Sequence, residues 1–330
     1  MVEIRYDVTG IGNAIVDVLA HASEEFLVEH ALNKGVMTLI DAEQAEQLYA
    51  AMGAGTESSG GSAANTLAGV AGLGARGCFI GKVRDDQLGG IFAHDIHAIG
   101  VDFHSEPATS GPPTARCLIM VTPDAARTMN TYLGACIELG PEDVDEELIA
   151  ASAYTYLEGY LWDPPHAKEA FIKAMGAARA AGRKAALTLS DGFCVDRHRA
   201  EFLDLVEHHV DILFANEDEI ISLYQVADFD DALQHVRGHC EIAALTRSEK
   251  GSLIVAGDEV HLIDAEPVAQ VIDTTGAGDL YAAGFLTGLA QGRGLHDCGR
   301  MGGIAAAEVI SHMGARPEVD LKELMAQRLG

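Results

Sequence analysis

Asp279 stands directly behind Gly276, Ala277 and Gly278 in the run Asp273-Thr274-Thr275-Gly276-Ala277-Gly278-Asp279, and a mostly apolar stretch follows from Leu280 to Leu286. A glycine-rich turn feeding a helix leaves backbone N–H groups without partners and adds the positive end of the helix dipole, so it suits a phosphate oxygen. A carboxylate in that place repels the ligand the turn attracts and needs an explanation. One is that Asp279 accepts the proton of an attacking hydroxyl while the turn holds the transferring phosphoryl group in front of it. The other is an ordinary acidic cap on a buried helix, and a motif this short also recurs by chance.

A second stretch, Ser59-Gly60-Gly61-Ser62-Ala63-Ala64-Asn65, lies in a segment without charges from Ser58 to Ala75. Its small residues recur at helical spacing and predict a buried helix packed closely on a neighbour, with Asn65 on its first turns. The paired glycines open backbone conformations closed to other residues and let a ligand touch the main chain. Tight helix packing alone would also account for them.

The elements that must hold these stretches are legible as a change of texture along the chain. Ile4 to Thr9 is a short run of strand formers that ends in Gly10 and Gly12. Around Val36 to Ile40 and Ala115 to Thr122, apolar runs bounded by turn residues suggest strands of a small extra sheet. From Glu142 onward, strands at Tyr154 to Leu157, Lys184 to Leu189, Ile212 to Ala215 and Ile242 to Thr246 alternate with helices near Pro165 to Ala181, Ala200 to His208 and Phe229 to Val236. That alternation implies a parallel sheet covered on both faces. A hairpin-like stretch from Gly251 to Ile263 and helices near Asp279 to Ala290 and Asp297 to Ile310 complete the pattern.

Taken together, in this order and at this separation, the Gly-Gly helix start and the Asp-Thr-Thr-Gly-Ala-Gly-Asp run closely resemble the paired signatures of the ribokinase-like, PfkB-type carbohydrate kinase family. The resemblance extends over nearly the whole chain. It implies a single α/β unit over residues 1–330, a three-layer, doubly wound, mostly parallel sheet with a small β-sheet lid from roughly residues 15–41 and 101–135. It also implies Asp279 as catalytic base and Gly276, Ala277 and Gly278 as anion hole. Asp273 matches the first acidic residue of that signature, which in many members helps organise a monovalent cation such as K+. Asn216 and Glu219, in Asn216-Glu217-Asp218-Glu219, match an Asn-x-x-Glu element that positions Mg2+ and its waters. Thr246, Ser248 and Gly251 resemble the segment that borders ATP, with Thr275 on the facing turn.

Within the family the details are similar to the adenosine kinase branch. Gly12-Asn13-Ala14-Ile15-Val16-Asp17 resembles its opening Gly-Asn-x-x-x-Asp, in which the two carboxylate oxygens accept from the two ribose hydroxyls. Asn13 and Asp17, with Gly60, Gly61, Ser62 and Asn65, would then close on the sugar. Arg127 matches a lid arginine that approaches the phosphates, although an exposed hairpin charge is equally consistent with its surroundings. Tyr160, Leu161 and Trp162 follow a strand and are candidates to lie against a base, with core packing as the competing role. The implied activity is ATP-dependent phosphorylation of the 5′-hydroxyl of a ribonucleoside, adenosine first. Another nucleoside such as inosine or guanosine, or a free sugar such as ribose, is the alternative. A sugar-binding regulator without activity would not need Asp279.

Composition narrows the partners. The 330 residues carry 22 Lys and Arg against 50 Asp and Glu, a net charge of −28, with 48% hydrophobic residues, as a globular chain does. Such an acidic excess opposes binding to nucleic acid or an anionic membrane surface. The six cysteines are scattered singly, without zinc spacing, as in a reducing cytoplasm. The Gly10-Ile11-Gly12 turn lacks the third glycine of a dinucleotide fingerprint, and no Gly-x4-Gly-Lys-Ser/Thr occurs, so nicotinamide-dependent and P-loop enzymes are set aside. The expected protein is a cytoplasmic monomer or homodimer acting on small molecules.

Overall fold

The computed structural model describes residues 2–124 and 126–329. Ala125, in the second expected lid segment, lies outside the described residues, as do Met1 and Gly330. In chain order the first strands are β1 (Tyr6–Ile11), β2 (Ile15–His21), β3 (Met37–Leu39), β4 (Thr56–Gly60), β5 (Gly77–Ile80), β6 (Val101–Phe103), β7 (Ala115–Val121) and β8 (Arg127–Tyr132). They are followed by β9 (Ser152–Glu158), β10 (Lys184–Thr188), β11 (Ile212–Asn216), β12 (Ile242–Thr246), β13 (Ser252–Ala256) and β14 (Glu259–Ile263).

Nine strands form one sheet in the order β14-β13-β12-β11-β10-β9-β1-β5-β6. It is parallel from β6 to β12 and antiparallel at β13 and β14. The strand period of two sends alternate residues to opposite layers. Ile212, Phe214 and Ala244 join the core under the helices Ser62–Gly72, Ala277–Ala290 and Leu295–Val309. Leu213, Ala215, Ala243 and Leu245 join the core under Pro165–Ala180, Gly192–His208 and Glu217–Tyr224. This is the three-layer, doubly wound sheet read from the alternating half of the sequence.

The remaining five strands form a second sheet, ordered β3-β8-β7-β2-β4. Its limits differ from the two expected segments. Val101–Phe103 is an edge strand of the large sheet, pairing Gly77 with Val101, and Phe103 packs on Phe79 and Phe92. Thr56–Gly60, which lies outside both segments, pairs antiparallel with β2. Its Thr-Glu-Ser-Ser-Gly sequence has no apolar alternation to announce a strand. The helix expected from Ala200 begins instead at Gly192, because Asp191 accepts from the Cys194 N–H as a cap; a non-helical His198 divides the two halves.

The helices Ser62–Gly72 and Ala277–Ala290 touch closely enough to set the position of everything at their amino ends. A Cβ on Gly69 would lie 2.6 Å from the Ala283 Cβ and 2.7 Å from Leu280 Cδ1. Gly69→Val is therefore expected to lower stability by about 1–3 kcal/mol through overpacking. The check is a urea titration, in which the midpoint falls while the slope is kept; an unchanged midpoint would contradict this contact.

Candidate active site

The large sheet's strands end at one edge, where a parallel α/β sheet opens its crevice. From the end of β1 the chain passes through Gly12 and Asn13 into β2, so Asp17 lies on the small sheet while Asn13 is buried in the connection between the two sheets. Along β2, Val16, Val18 and Ala20 are buried, whereas Ile15, Asp17 and Leu19 on the opposite face are half-buried. Ile15 and Leu19 pack with Cys117 and Ile119 of β7, so Asp17 is the charged member of an otherwise apolar face.

Gly60 and Gly61 end β4 against these residues. A Cβ on Gly60 would sit 2.4 Å and 2.7 Å from the two Asp17 carboxylate oxygens, so only glycine leaves that carboxylate open. Gly61 has φ +97°, and a Cβ there would come 2.2 Å from the Asn13 carbonyl oxygen. Ser62 and Asn65 follow on the first turn of the helix and reach Asp279 across the helix pair. Ser62 Oγ donates to Asp279 Oδ1 at 2.6 Å, and Asn65 Nδ2 donates to Oδ2 at 3.1 Å.

Asp279 does not cap its own helix. The cap is Gly276, at φ +80°, whose missing Cβ would meet Ala315 at 2.9 Å, and no side chain closes that end. Among the described residues the N–H groups of Gly278 and Asp279 have no partner, which leaves the anion-binding potential of the turn unspent. Burial pushes the Asp279 carboxyl up to about 6, against the Ser62 and Asn65 hydrogen bonds and the Arg316 charge, which favour its ionised form. Burial likewise pushes Asp17 up to about 6, opposed by the charges of Arg316 and Arg127. Two carboxylates of the type a hydroxyl substrate requires thus flank one glycine turn.

Arg127 is not an exposed hairpin charge. It lies in β8 with its side chain largely buried, and its Nη1 donates to Asp273 Oδ2 at 2.5 Å. Asp273 also accepts from the Gly314 N–H and from both the N–H and hydroxyl of Thr275. These hydrogen bonds hold its carboxyl below the usual range in spite of burial. With both oxygens so engaged, the carboxylate ties the small sheet to the glycine turn, and a monovalent cation would have to compete with Arg127 for it.

Asn216 and Glu219 form a reciprocal capping box on the helix Glu217–Tyr224: Asn216 Oδ1 accepts from the Glu219 N–H at 2.8 Å, and Glu219 Oε2 from the Asn216 N–H at 2.9 Å. Burial pushes Glu219 up to about 7, and the charges of Asp191 and Asp218 add to the rise. No Lys, Arg or His among the described residues pairs with any of the three, so the group is an uncompensated set of hard oxygen donors that fits Mg2+. Among the described residues no three His, Cys, Asp or Glu stand close enough together to hold a metal ion directly. Asn216 faces Thr246 across β11 and β12. Ser248 at φ +51° and Gly251 at φ +81° shape the turn beyond, where a Cβ on Gly251 would strike the Ile263 carbonyl at 2.0 Å. Arg247 and Lys250, basic residues beside this turn, both pair with Glu217.

Trp162 and Leu161 do not lie against a ligand. Both are buried in the core, Trp162 packing on Phe171 and Phe202 with its indole N–H on Glu201. Tyr160 alone of the three is exposed, its hydroxyl donating to the Ser190 carbonyl. Two residues that the sequence analysis did not name join the site. Glu158 ends β9 fully buried, accepting from Asn13 Nδ2 at 2.7 Å and the Ala63 N–H at 2.8 Å, and burial pushes it up to about 7. A charged residue closing an apolar strand was the one hint. Arg316 lies in the irregular Gly314-Ala315-Arg316-Pro317 loop, which has no periodicity to mark it.

A doubly wound sheet whose crevice holds a carboxylate behind an open glycine turn defines a group-transfer enzyme of the sugar kinase type. The family model described as pfkB family carbohydrate kinase matches residues 34–321, and the chain belongs to that family, phosphotransferases that act on a hydroxyl. The crystal structure of adenosine kinase from Sinorhizobium meliloti is similar at 54% identity and a TM-score of 0.90, covering 98% of this chain and 99% of that one. The ATP-dependent ribose-1-phosphate kinase of Halopiger xanaduensis is 31% identical over 70% of this chain and 73% of its own length. The nucleoside kinase of Methanocaldococcus jannaschii is 25% identical over 82% of this chain and 85% of its own. No described helix is long and apolar enough to cross a membrane.

Proposed function

We propose that this kinase transfers the γ-phosphoryl group of ATP to the 5′-hydroxyl of adenosine. The observation that carries the reading is the placement of Asp17 and Asp279 on either side of the Gly60–Asn65 turn, one carboxylate open to a vicinal diol and the other beside an unpartnered anion-binding turn. The likeness to an adenosine kinase at 54% identity over nearly the full length supports the choice of nucleoside.

In this reading the two oxygens of Asp17 accept from the 2′- and 3′-hydroxyls, and Asn13, Gly60 and Gly61 close the main chain on the ribose. That places the 5′-hydroxyl at Asp279. As the hydroxyl oxygen bonds to the γ-phosphorus and the bond to the β,γ-bridging oxygen breaks, Asp279 takes the hydroxyl proton and ADP leaves with the bond's electron pair. The Gly276 to Gly278 turn holds the transferring oxygens. Thr246, Ser248, Gly251 and Thr275 border the nucleotide, and the small sheet acts as a lid whose Arg127 exchanges Asp273 for phosphate on closure. Bound Mg2+ neutralises phosphate charge. Asn216 and Glu219, with Asp191 and Asp218 facing them, would hold it through water.

The six free thiols, none of them in a disulfide, fit action in the cytoplasm, as a monomer or homodimer. A panel of adenosine, inosine, guanosine, ribose and ribose 1-phosphate, with ATP and Mg2+ and product identified by mass, tests the reading: AMP formed at the highest kcat/KM is expected, and preference for a free or phosphorylated sugar would overturn it. Glu219→Gln keeps the bond from the Asn216 N–H, gives up the one from Asn216 Nδ2 and removes a charge, so its half-maximal Mg2+ concentration should rise several-fold with the nucleoside KM little changed. An unaltered Mg2+ dependence in that variant would remove Glu219 from the metal site.

A further inference from the structure

Arg316 joins a strand residue of the small sheet, Ser59, to a helix residue, Asn65, and is the centre of a hydrogen-bonded chain that runs from Asp95 to Asp279. Its Nε donates to Asn65 Oδ1 at 3.0 Å, and its Nη2 donates to the Ser59 carbonyl at 2.6 Å and to Ser59 Oγ at 3.0 Å. Ser59 in turn donates its N–H and hydroxyl to Asp95 at 2.8 and 2.5 Å. On the other side, Asn65 Nδ2 donates to Asp279. We propose that Arg316 is a positioning residue for phosphoryl transfer, fixing the Asn65 amide so that its N–H donates to Asp279 and holding the Ser59–Gly60 turn in place beside Asp17. The inference rests on the functional reading above and adds a residue to its machinery.

The chemistry of the groups admits one orientation. A guanidinium has donors and no acceptor, so Asn65 must turn its oxygen toward Arg316 and therefore its NH2 toward Asp279. The reversed amide would set a donor against the guanidinium and an acceptor against the ionised carboxylate. Because an NH2 group favours a charged acceptor, the chain Arg316 to Asn65 to Asp279 holds Asp279 in the state a base requires. The Arg316 charge acts in the same sense on both Asp279 and Asp17. It has work to do there, since Glu158, Tyr156 and Tyr160 of the β9 end also face Asp279, while Arg127 and Cys117 face Asp17 from the small sheet.

The loop that presents Arg316 is itself pinned on two sides. Glu308 Oε1 accepts from His312 Nε2 and from the Glu318 and Val319 N–H groups, which closes the base of the loop. Asp273 accepts from the Gly314 N–H, and Ala315 packs against Gly276 where a Cβ has no room. The segment bearing Arg316 thus abuts the anion turn and the sugar turn at once. A side chain that served only to fill space would need neither a charge nor a fork.

The test separates charge from geometry. Arg316→Gln should lower kcat on the order of 100-fold by releasing the Asn65 amide, with substrate KM rising less. It should also move the acid limb of kcat/KM up by about one pH unit through loss of the opposite charge. Arg316→Lys keeps the charge without the fork, so it should restore the acid limb while leaving much of the kcat loss. In the double variant with Asn65→Ala, the two losses should fail to multiply, because they act along one path. Titration of the Asp279 carboxyl carbon in aspartate-labelled protein needs no turnover, so it reads Arg316 even if adenosine proves to be the wrong substrate. A parent with no activity on the panel would overturn the functional reading alone. Unchanged Asp279 titration in Arg316→Gln, or kcat losses that multiply in the double variant, would overturn the role assigned to Arg316.

Discussion

In Asp279→Asn, kcat is expected to fall by about 10²- to 10⁴-fold, the range a positioned general base contributes, while ATP and nucleoside binding persist. The substitution is well matched to the site. The new amide oxygen can accept from Asn65 Nδ2 as Oδ2 does now, and the amide NH2 can donate to Ser62 Oγ, which is free to turn and accept. Shape and hydrogen bonds are therefore retained and only the proton acceptor is lost. The parent supplies a second readout. Asp279 lies at about 6 in the folded protein, so kcat/KM should fall as pH drops through that region, where the carboxyl becomes protonated and cannot accept. Glu158, at about 7 and facing Asp279, couples to it, so the limb reports the pair rather than either group. The residual activity of Asp279→Asn should lose this limb. Turnover within a few-fold of the parent, or an intact limb in the variant, would mean that another group takes the proton.

The parts of this site that the sequence disclosed are those written in one continuous segment. The glycine turn with Asp279, and the Gly60 to Asn65 helix start, each concentrate their constraint in a few adjacent residues, because a backbone that closely approaches other groups, as Gly60 does Asp17 and Gly276 does Ala315, excludes side chains locally. The large sheet was legible for the same reason: β9 to β12 are buried on both faces and read as short apolar runs between helices. The small sheet was legible only in part: β3 and β7 lie where the apolar runs at Val36 to Ile40 and Ala115 to Thr122 suggested strands, whereas β4 is Thr-Glu-Ser-Ser-Gly, without apolar alternation, and β8 carries Arg127 and a buried Asn130. Trp162 was ambiguous because an aromatic residue near a strand end serves a core or a ligand equally well. Arg316 and Glu158 mark the limit. Their partners are 251 and 145 residues away in the chain, and nothing local distinguishes an arginine in a loop that meets Asn65 from one that meets water.

Asp17→Ala should cost the sugar more than any other single change. Two hydrogen bonds to an ionised acceptor contribute roughly 1.5–3 kcal/mol each, so kcat/KM for adenosine is expected to drop by about 10²- to 10⁴-fold. The loss should appear with every riboside and be much smaller for a 2′,3′-dideoxyriboside, which has no diol to leave unpaired. Removing the carboxylate also takes away the charge that Arg316 and Arg127 face, so part of the loss in the alanine variant could come from those two cations rearranging. Asp17→Asn addresses that: its oxygen can accept from one hydroxyl and its NH2 can donate to the other, and it fits beside the bare Gly60 as the aspartate does. Its loss with ribosides should therefore be intermediate, with the cations as poorly compensated as in Asp17→Ala. If the two variants lose equally, and equally for ribosides and dideoxyribosides, the effect is electrostatic and Asp17 does not touch the sugar. If the riboside loss is graded from Asn to Ala and the dideoxyriboside loss is small and ungraded, the carboxylate binds the diol, and the open glycine behind it is explained.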